Sequence, residues 1–349
     1  MNFQRRSCAA PVLAKITLPA LASVELTGLV ERAVGYAKAT NSARTLKTYA
    51  RDFAKFEAWA KSQRLPSLPT SPEIVAVYLA AMADGAVRVD WKARGGHSHT
   101  STRPKKYATI QLAYSAIVAT HVGAGHEWPH AHPLIVRVMR GIRRALGTTQ
   151  TKVSALSVVD LHAMLVACSA DLAGARNRAL LSIGFFAALR RSELVALDVT
   201  DVREEPRGLV VRIRESKSDQ TAIGEDIAFP PTKDKVVCPV RLFNAWLKAS
   251  GLKAGPLFRR IDKAGHLGVH ALAPQSVGLL VKQLAEEVGL DAETLSGHSL
   301  RAGFVTSAAA SGKSLRNIMR QTRHKSERVA LGYMRPATLF DDNAADGLA

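Results

Sequence analysis

The feature that most constrains this chain is a break between two blocks of helical patterning. On both sides of Gly147-Thr148-Thr149-Gln150-Thr151-Lys152 apolar residues recur at steps of three and four, while the hexapeptide has few apolar residues and no period. A stretch of that kind suits an extended linker. Two blocks separated by it build separate cores, so the 349 residues are expected to form two domains.

In the first block, Leu46, Tyr49, Phe53, Phe56 and Trp59 share one helix face, and Arg44, Lys47, Arg51, Lys55 and Lys61 lie on the other. Ser71-Pro72-Glu73 reads as an N-cap, a first-turn proline and an acid at the positive end of the helix dipole, with Gly85 closing the helix. The stretch from Val87 to Pro104, containing Gly95 and Gly96, reads as a loop. Helical periodicity returns from Tyr107 to Val122 and from Leu134 to Leu146, where Arg137, Arg140 and Arg144 share a face. An arm over residues 1–23, an all-helical domain over 24–147 and a linker over 148–155 are expected. Ser157 with Asp160 resembles a capping box and opens a second domain over 156–335. Its pattern is helical to about Leu197, strand-like at Val199–Val202, Leu209–Ile213 and Ile227–Phe229, then helical again between Gly251, Gly289 and Gly312. The expected class is mainly α: an all-helical domain followed by a mixed α+β domain with a small antiparallel sheet, and a tail over 336–349.

Charge narrows the partners. The formal net charge is +19, and residues 1–150 hold 21 basic against 8 acidic residues. A field of that sign attracts polyanions, so nucleic acid is the first partner to consider and the first domain its main electrostatic grip. Arg44, Lys47, Lys105, Lys106, Arg137, Arg140 and Arg144 lie on helix faces or helix starts where phosphates can be bound. Cys8, Cys168 and Cys238 are far apart with no CxxC pair, which argues against a disulfide framework or a thiolate zinc site and fits a reducing cytoplasm. Pro11, Lys15 and Pro19 interrupt the early apolar stretch before it becomes a signal peptide, and no apolar run of about 18 residues or more suggests a membrane span.

Four separated segments carry chemistry. Arg190 sits where a helical run meets an N-cap expected at Ser192, in Ala188-Leu189-Arg190-Arg191-Ser192-Glu193-Leu194. Lys217 lies in a polar turn between strand-like runs. His298 and Arg301, three apart, project from one helix face and can converge on one group. The last segment runs from Thr322-Arg323-His324 to Tyr333. Taken singly, a surface arginine, a solvated loop lysine and a core tyrosine are the commoner fates of such residues.

In order and spacing, an arginine, a lysine, His-x-x-Arg, a histidine and a tyrosine nine residues beyond it resemble the tyrosine recombinase (phage integrase) family over essentially the whole chain. The helix pattern from Thr45 to Trp59 and the Thr109-Ile110 helix start resemble the core-binding domain of Cre-like members. The resemblance implies that Arg190, Lys217, His298, Arg301, His324 and Tyr333 are catalytic and Glu193 supporting. It also implies double-stranded DNA as substrate, a 3′-phosphotyrosyl intermediate, a free 5′ hydroxyl, and self-association as a dimer on a site and a tetramer in the synapse. Arg323 departs from the pattern, because the family usually has glycine before this histidine.

Elementary chemistry makes the same residues intelligible. Phosphodiester cleavage needs a nucleophile, charge stabilisation on the non-bridging oxygens and a proton for the leaving oxygen. Two guanidinium groups can clamp the phosphate where other enzymes use metal, so neither metal nor cofactor is expected, and conserved bond energy implies no ATP. His298 and His324 can donate hydrogen bonds to the same oxygens, and His298 is the better candidate to take the tyrosine's proton, since a tyrosine hydroxyl ordinarily titrates near about 10. Lys217 suits the general acid.

Three readings compete. A type IB topoisomerase shares the chemistry, and the basic domain before the catalytic one, with a tail whose Leu339, Phe340 and Leu348 could pack on a neighbouring protomer, favours recombination over it. A catalytically silent DNA-binding protein is opposed by the intact six residues. A metal hydrolase is prompted by His126, His130 and His132, whose proline-broken spacing suits structural or surface histidines better. The place expected is the cytoplasm, in association with the nucleoid.

Overall fold

A computed structural model describes residues 28, 29, 32, 36 and 42–334, apart from 88, 93–97, 130, 148–153 and 215–223. The chain divides into two compact units between Gln150 and Thr151.

The first unit is a helical bundle whose ends follow local chemistry. Helix α1 (Ala43–Ser62) starts at Ser42, whose hydroxyl accepts the Thr45 N–H at 3.2 Å. Helix α2 (Pro72–Asp84) begins at the Ser71 N-cap with proline in its first turn and ends on Gly85 at φ 74°, a left-handed conformation that glycine adopts without strain. Helix α3 (Tyr107–Gly123) packs on α1, and α4 (Pro133–Leu146) on α2. An aromatic cluster seals the core: Tyr78 meets Phe56 edge-on at 5.1 Å between ring centroids and lies 5.0 Å from Trp59. Such pairs contribute about 0.5–1.5 kcal/mol beyond the area they bury. His121 is buried among them, donating from Nδ1 to Ile117 O at 2.8 Å and accepting the Thr70 N–H on Nε2 at 3.0 Å; burial holds it below the ordinary histidine value and so neutral. The stretch expected as a loop from Val87 to Pro104 contains an antiparallel ribbon, β1 (Val89–Lys92) and β2 (Ser98–Ser101), paired from Val89↔Ser101 to Lys92↔Ser98. Polar residues dominate both strands, so their ladder of backbone hydrogen bonds leaves little apolar pattern to detect.

The second unit opens with the expected capping box: Ser157 Oγ accepts the Asp160 N–H at 3.0 Å and Asp160 accepts the Ser157 N–H at 2.8 Å. Caps of this type contribute about 1 kcal/mol. Helix α5 (Val158–Ala167) leads to α6 (Leu172–Phe186), which is buried continuously from Ala179 to Phe185 and packs against later helices. Ser182 within it is satisfied by donating to Val237 O at 2.6 Å. After the short α7 (Arg191–Val195), Val199–Asp201 forms a 3-10 turn rather than the start of a strand. The sheet follows as an antiparallel meander, β3 (Val202–Glu205), β4 (Gly208–Ile213) and β5 (Glu225–Phe229), with β4 central. Helix α8 (Pro239–Ser250) lies on α6, anchored by Trp246, whose indole N–H reaches Leu257 O at 2.9 Å. A second hairpin, β6 (Arg259–Ile261) and β7 (Leu267–Ala271), stands where only helices were expected, its three- and five-residue strands too short and too exposed to alternate visibly. The unit closes with α9 (Pro274–Glu287), α10 (Ser299–Ala310), α11 (Leu315–Thr322) and α12 (Glu327–Met334). Gly303 lets α10 press against the entering chain: a Cβ there would meet Leu156 O at 1.9 Å. The chain is held there by Leu156 N–H donating to Ser299 O at 3.2 Å. No described helix is long and apolar enough to cross a membrane.

Candidate active site

Arg190 stands at the gap between α6 and α7. Helix α6 ends on Ala188 at φ 47°, with Leu189 N–H returning to Gly184 O at 3.1 Å, so the chain turns sharply and delivers Arg190 as the N-cap of α7. The cap expected at Ser192 is therefore two residues earlier. The reason is Glu193, whose Oε2 accepts the Arg190 backbone N–H at 2.9 Å while Oε1 accepts its Nη1 at 2.7 Å. Glu193 is buried, and Arg323 Nη2 donates to its Oε2 at 2.7 Å. Burial alone would raise this carboxyl; the charge of Arg323 and the hydrogen bonds from Arg190 and Arg323 outweigh it and hold Glu193 below the usual carboxylate range.

Arg301, in the first turn of α10, is 5 % exposed. Its Nη1 donates to Ala188 O at 2.6 Å and its Nη2 to Thr322 O. These carbonyls end α6 and α11, where each helix dipole presents its negative end, so the guanidinium is both hydrogen-bonded and electrostatically welcome. Burial, then the charges of Arg190 and Arg323, pull it down to about 10 against the opposing pull of Glu193 and Tyr333, and it remains a cation at neutral pH.

Helix α11 supplies a histidine in a defined state. Thr322 Oγ1 donates its one proton to Ile318 O at 2.7 Å, so the 2.9 Å contact with His324 Nδ1 is donated by the ring. Burial first, and then Arg301, Arg190 and Arg323, push His324 down to about 4, which makes the ring neutral at pH 7 with a bare Nε2. In this arrangement the Nδ1 proton is turned towards Thr322. The His324 and Tyr333 rings are nearly parallel, with centroids 6.0 Å apart. Tyr333 is carried by α12 and packs on Val305, Ala309 and Ile318, while its carbonyl accepts the Thr306 hydroxyl at 3.3 Å. His298 precedes α10 and is solvent-accessible; desolvation around it and the charges of Arg301, Arg191 and Arg190 hold it below the ordinary histidine value.

Five of the six residues singled out in the sequence thus belong to one network of contacts and charges. Lys217 lies outside the described residues, between β4 and β5, as do Leu339, Phe340 and Leu348. Sequence reasoning missed Thr322, which fixes His324, and the backbone carbonyl of Ala188. In the first unit, Arg44, Lys47, Lys106, Arg137, Arg140 and Arg144 are exposed and Lys105 is half-buried, its N–H donating to Met82 O at 2.9 Å. His130 lies outside the described residues, and no cluster of three or more His, Cys, Asp or Glu among the described residues could hold a metal ion.

Residues 155–338 match the model of the phage integrase family. An integrase/recombinase xerD homolog of Selenomonas ruminantium is 36 % identical over 304 residues, covering 86 % of this chain and 84 % of that protein. The tyrosine recombinase XerD of Xanthomonas axonopodis pv. citri (strain 306) is 27 % identical, covering 81 % and 84 %. Among solved structures, the XerH site-specific recombinase bound to palindromic difH substrate is similar at a TM-score of 0.59 and 18 % identity, covering 91 % of this chain and 84 % of that one. A lambda integrase (75–356) dimer bound to a COC′ core site gives 0.56 at 15 % identity, covering 88 % and 94 %. At these identities the structures speak for the fold alone.

Proposed function

This chain belongs to the phage integrase family and is a site-specific tyrosine recombinase, and from that premise we propose that Tyr333 attacks a DNA phosphodiester to give a 3′-phosphotyrosyl intermediate. The observation that carries the reading is the convergence of Arg190, Arg301, His298, His324 and Tyr333 from three separated segments of one unit.

The substrate is double-stranded DNA, held through its phosphates by basic residues of the first unit, with Arg44, Lys47, Lys105, Lys106, Arg137, Arg140 and Arg144 as contacts. At the scissile phosphate Arg190 and Arg301 stabilise the charge that grows on the non-bridging oxygens. Their positive charge takes the part a divalent ion plays elsewhere, so the step runs without metal. Arg301 spends one N–H on each of two carbonyls, and a guanidinium has five, so donors remain for the phosphate. Both imidazoles are neutral at pH 7 and can receive a proton. His298, the more accessible, takes it from the Tyr333 hydroxyl as the phosphorus–oxygen bond to tyrosine forms. Lys217 protonates the departing 5′ oxygen. That hydroxyl, on a partner strand, later attacks the phosphotyrosine, so bond energy is conserved and no ATP is consumed. Two copies sit on one site and four form the synapse; the protein works on the nucleoid, in the cytoplasm.

The test is a nicked suicide substrate in EDTA without ATP. Wild-type protein should remain joined to the 3′ side of the break through Tyr333, as located by peptide mapping, whereas Tyr333→Phe should bind the same DNA and form no adduct. An adduct on Tyr107 or Tyr114, or a strict need for divalent metal, overturns the reading.

A further inference from the structure

Arg323 occupies a position that its residue type does not favour. It ends α11 at φ 57° and ψ 40°, the left-handed region, where α2 and α8 end on Gly85 and Gly251. Its side chain is nevertheless turned inward and, like that of Glu193, is 4 % exposed. Two of its nitrogens, Nε and Nη1, are buried and have no hydrogen-bond partner. A left-handed arginine with two orphaned donors is an unfavourable local choice, and its hydrogen-bond partner among the described residues is Glu193 Oε2, at 2.7 Å.

Glu193 is also the residue that holds Arg190. Its Oε1 takes the Arg190 guanidinium and its Oε2 takes the Arg190 backbone N–H, so both the side chain and the main chain of Arg190 depend on where this carboxylate lies. Without Arg323, a buried carboxylate would have only Arg190, whose side chain is 22 % exposed, to offset its charge. Resting on the recombinase reading above, we propose that Arg323 is a positioning residue for strand cleavage: acting through Glu193, it fixes the pose in which Arg190 meets the scissile phosphate. The flanking residues agree with this role. Thr322 O receives Arg301 and Thr322 Oγ1 receives His324, so the turn that Arg323 forms gathers the anchors of three groups at the site.

The test uses the full chain with Arg323→Gly, Arg323→Lys, Glu193→Gln and the double variant Arg323→Gly/Glu193→Gln, on the nicked suicide substrate at saturating DNA. Glycine suits the left-handed turn and removes the orphaned donors, which offsets part of the cost of leaving the buried Glu193 carboxylate without this partner, so Arg323→Gly should melt below wild type yet stay folded and bind DNA equally well. Its rate of adduct formation should nonetheless fall at least about tenfold, since displacing a reacting group by about 1 Å can cost about 100-fold. Arg323→Lys should recover part of that rate. Because Arg323 acts through Glu193, the double variant should be no slower than Glu193→Gln alone. His324 is kept low by burial and then by Arg301, Arg190 and Arg323, so the titration profile of its ring, followed by NMR, should also move to higher pH in Arg323→Gly. Wild-type rate and an unchanged profile in Arg323→Gly would overturn the proposal while leaving the Tyr333 adduct intact. Losses that simply add in the double variant, or DNA binding that falls in step with cleavage, would overturn it too. Failure of wild type to form a Tyr333 adduct would instead remove the reading on which it rests.

Discussion

Replacing Arg301 by lysine separates charge from geometry at the centre of the site. Lysine keeps a cation but has one nitrogen, so it cannot hold Ala188 O and Thr322 O and still present a fork to phosphate. Loss of one such transition-state donor typically costs about 100-fold or more in rate. The surroundings add a second effect. Burial and the neighbouring guanidiniums bring Arg301 down to about 10, well below the ordinary arginine range. The same surroundings acting on a lysine, whose ordinary value is already below that of arginine, would pull it down towards the neutral range. A site that needs this group charged should then lose activity as the pH rises. In single-turnover cleavage of a nicked substrate from pH 6 to 9, Arg301→Lys should cleave at least about 100-fold more slowly than wild type. It should also gain an alkaline limb that wild type lacks, since a lysine gives up its proton at lower pH than an arginine in the same surroundings. A variant within a few-fold of wild type, or one whose rate stays flat through pH 9, would refute both the anchoring and the electrostatic argument.

Gly303→Ala should destabilise the second unit by roughly 1–3 kcal/mol, because its Cβ must displace a backbone carbonyl, Leu156 O, from 1.9 Å, and an unchanged urea midpoint would contradict this. In the first unit, replacing Arg137, Arg140 and Arg144 together by alanine should reduce the slope of log binding constant against log salt by about 3, near 0.9 for each phosphate that is no longer neutralised. A slope equal to that of wild type would place the phosphates elsewhere.

What the sequence revealed follows the range of the interactions concerned. Helix ends at Ser71-Pro72, Gly85 and Ser157-Asp160 depend on partners three or four residues away, and each appears where its residues predict. The catalytic candidates were legible through the order of four segments and the chemistry of their side chains. By contrast, the contacts that hold them span 113 residues from Arg301 to Ala188 and 130 from Arg323 to Glu193, and nothing local announces such pairings. Arg323 stood out in the sequence only as a departure from glycine, and its effect is felt across the site rather than in its own loop. The N-cap at Arg190 was misplaced for a related reason: a good local cap, Ser192, lost to a carboxylate whose position is set by a distant arginine. Short hairpins such as β6–β7 have too few alternating residues for their period to register.

The long reach of the Arg301 and Glu193 contacts also bears on when the protein becomes dangerous to DNA. Ala188, Glu193, Arg301, Thr322 and Arg323 are brought to one place only when α6, α7, α10 and α11 have packed, so the cleaving apparatus has no partly folded form. The first unit is made before Tyr333, the residues of the site being spread from Ala188 to Tyr333 in the chain. Breaking a strand must wait for completion of the second unit, and local melting of α11 would disarm the site by releasing Arg301, Arg323 and His324 together.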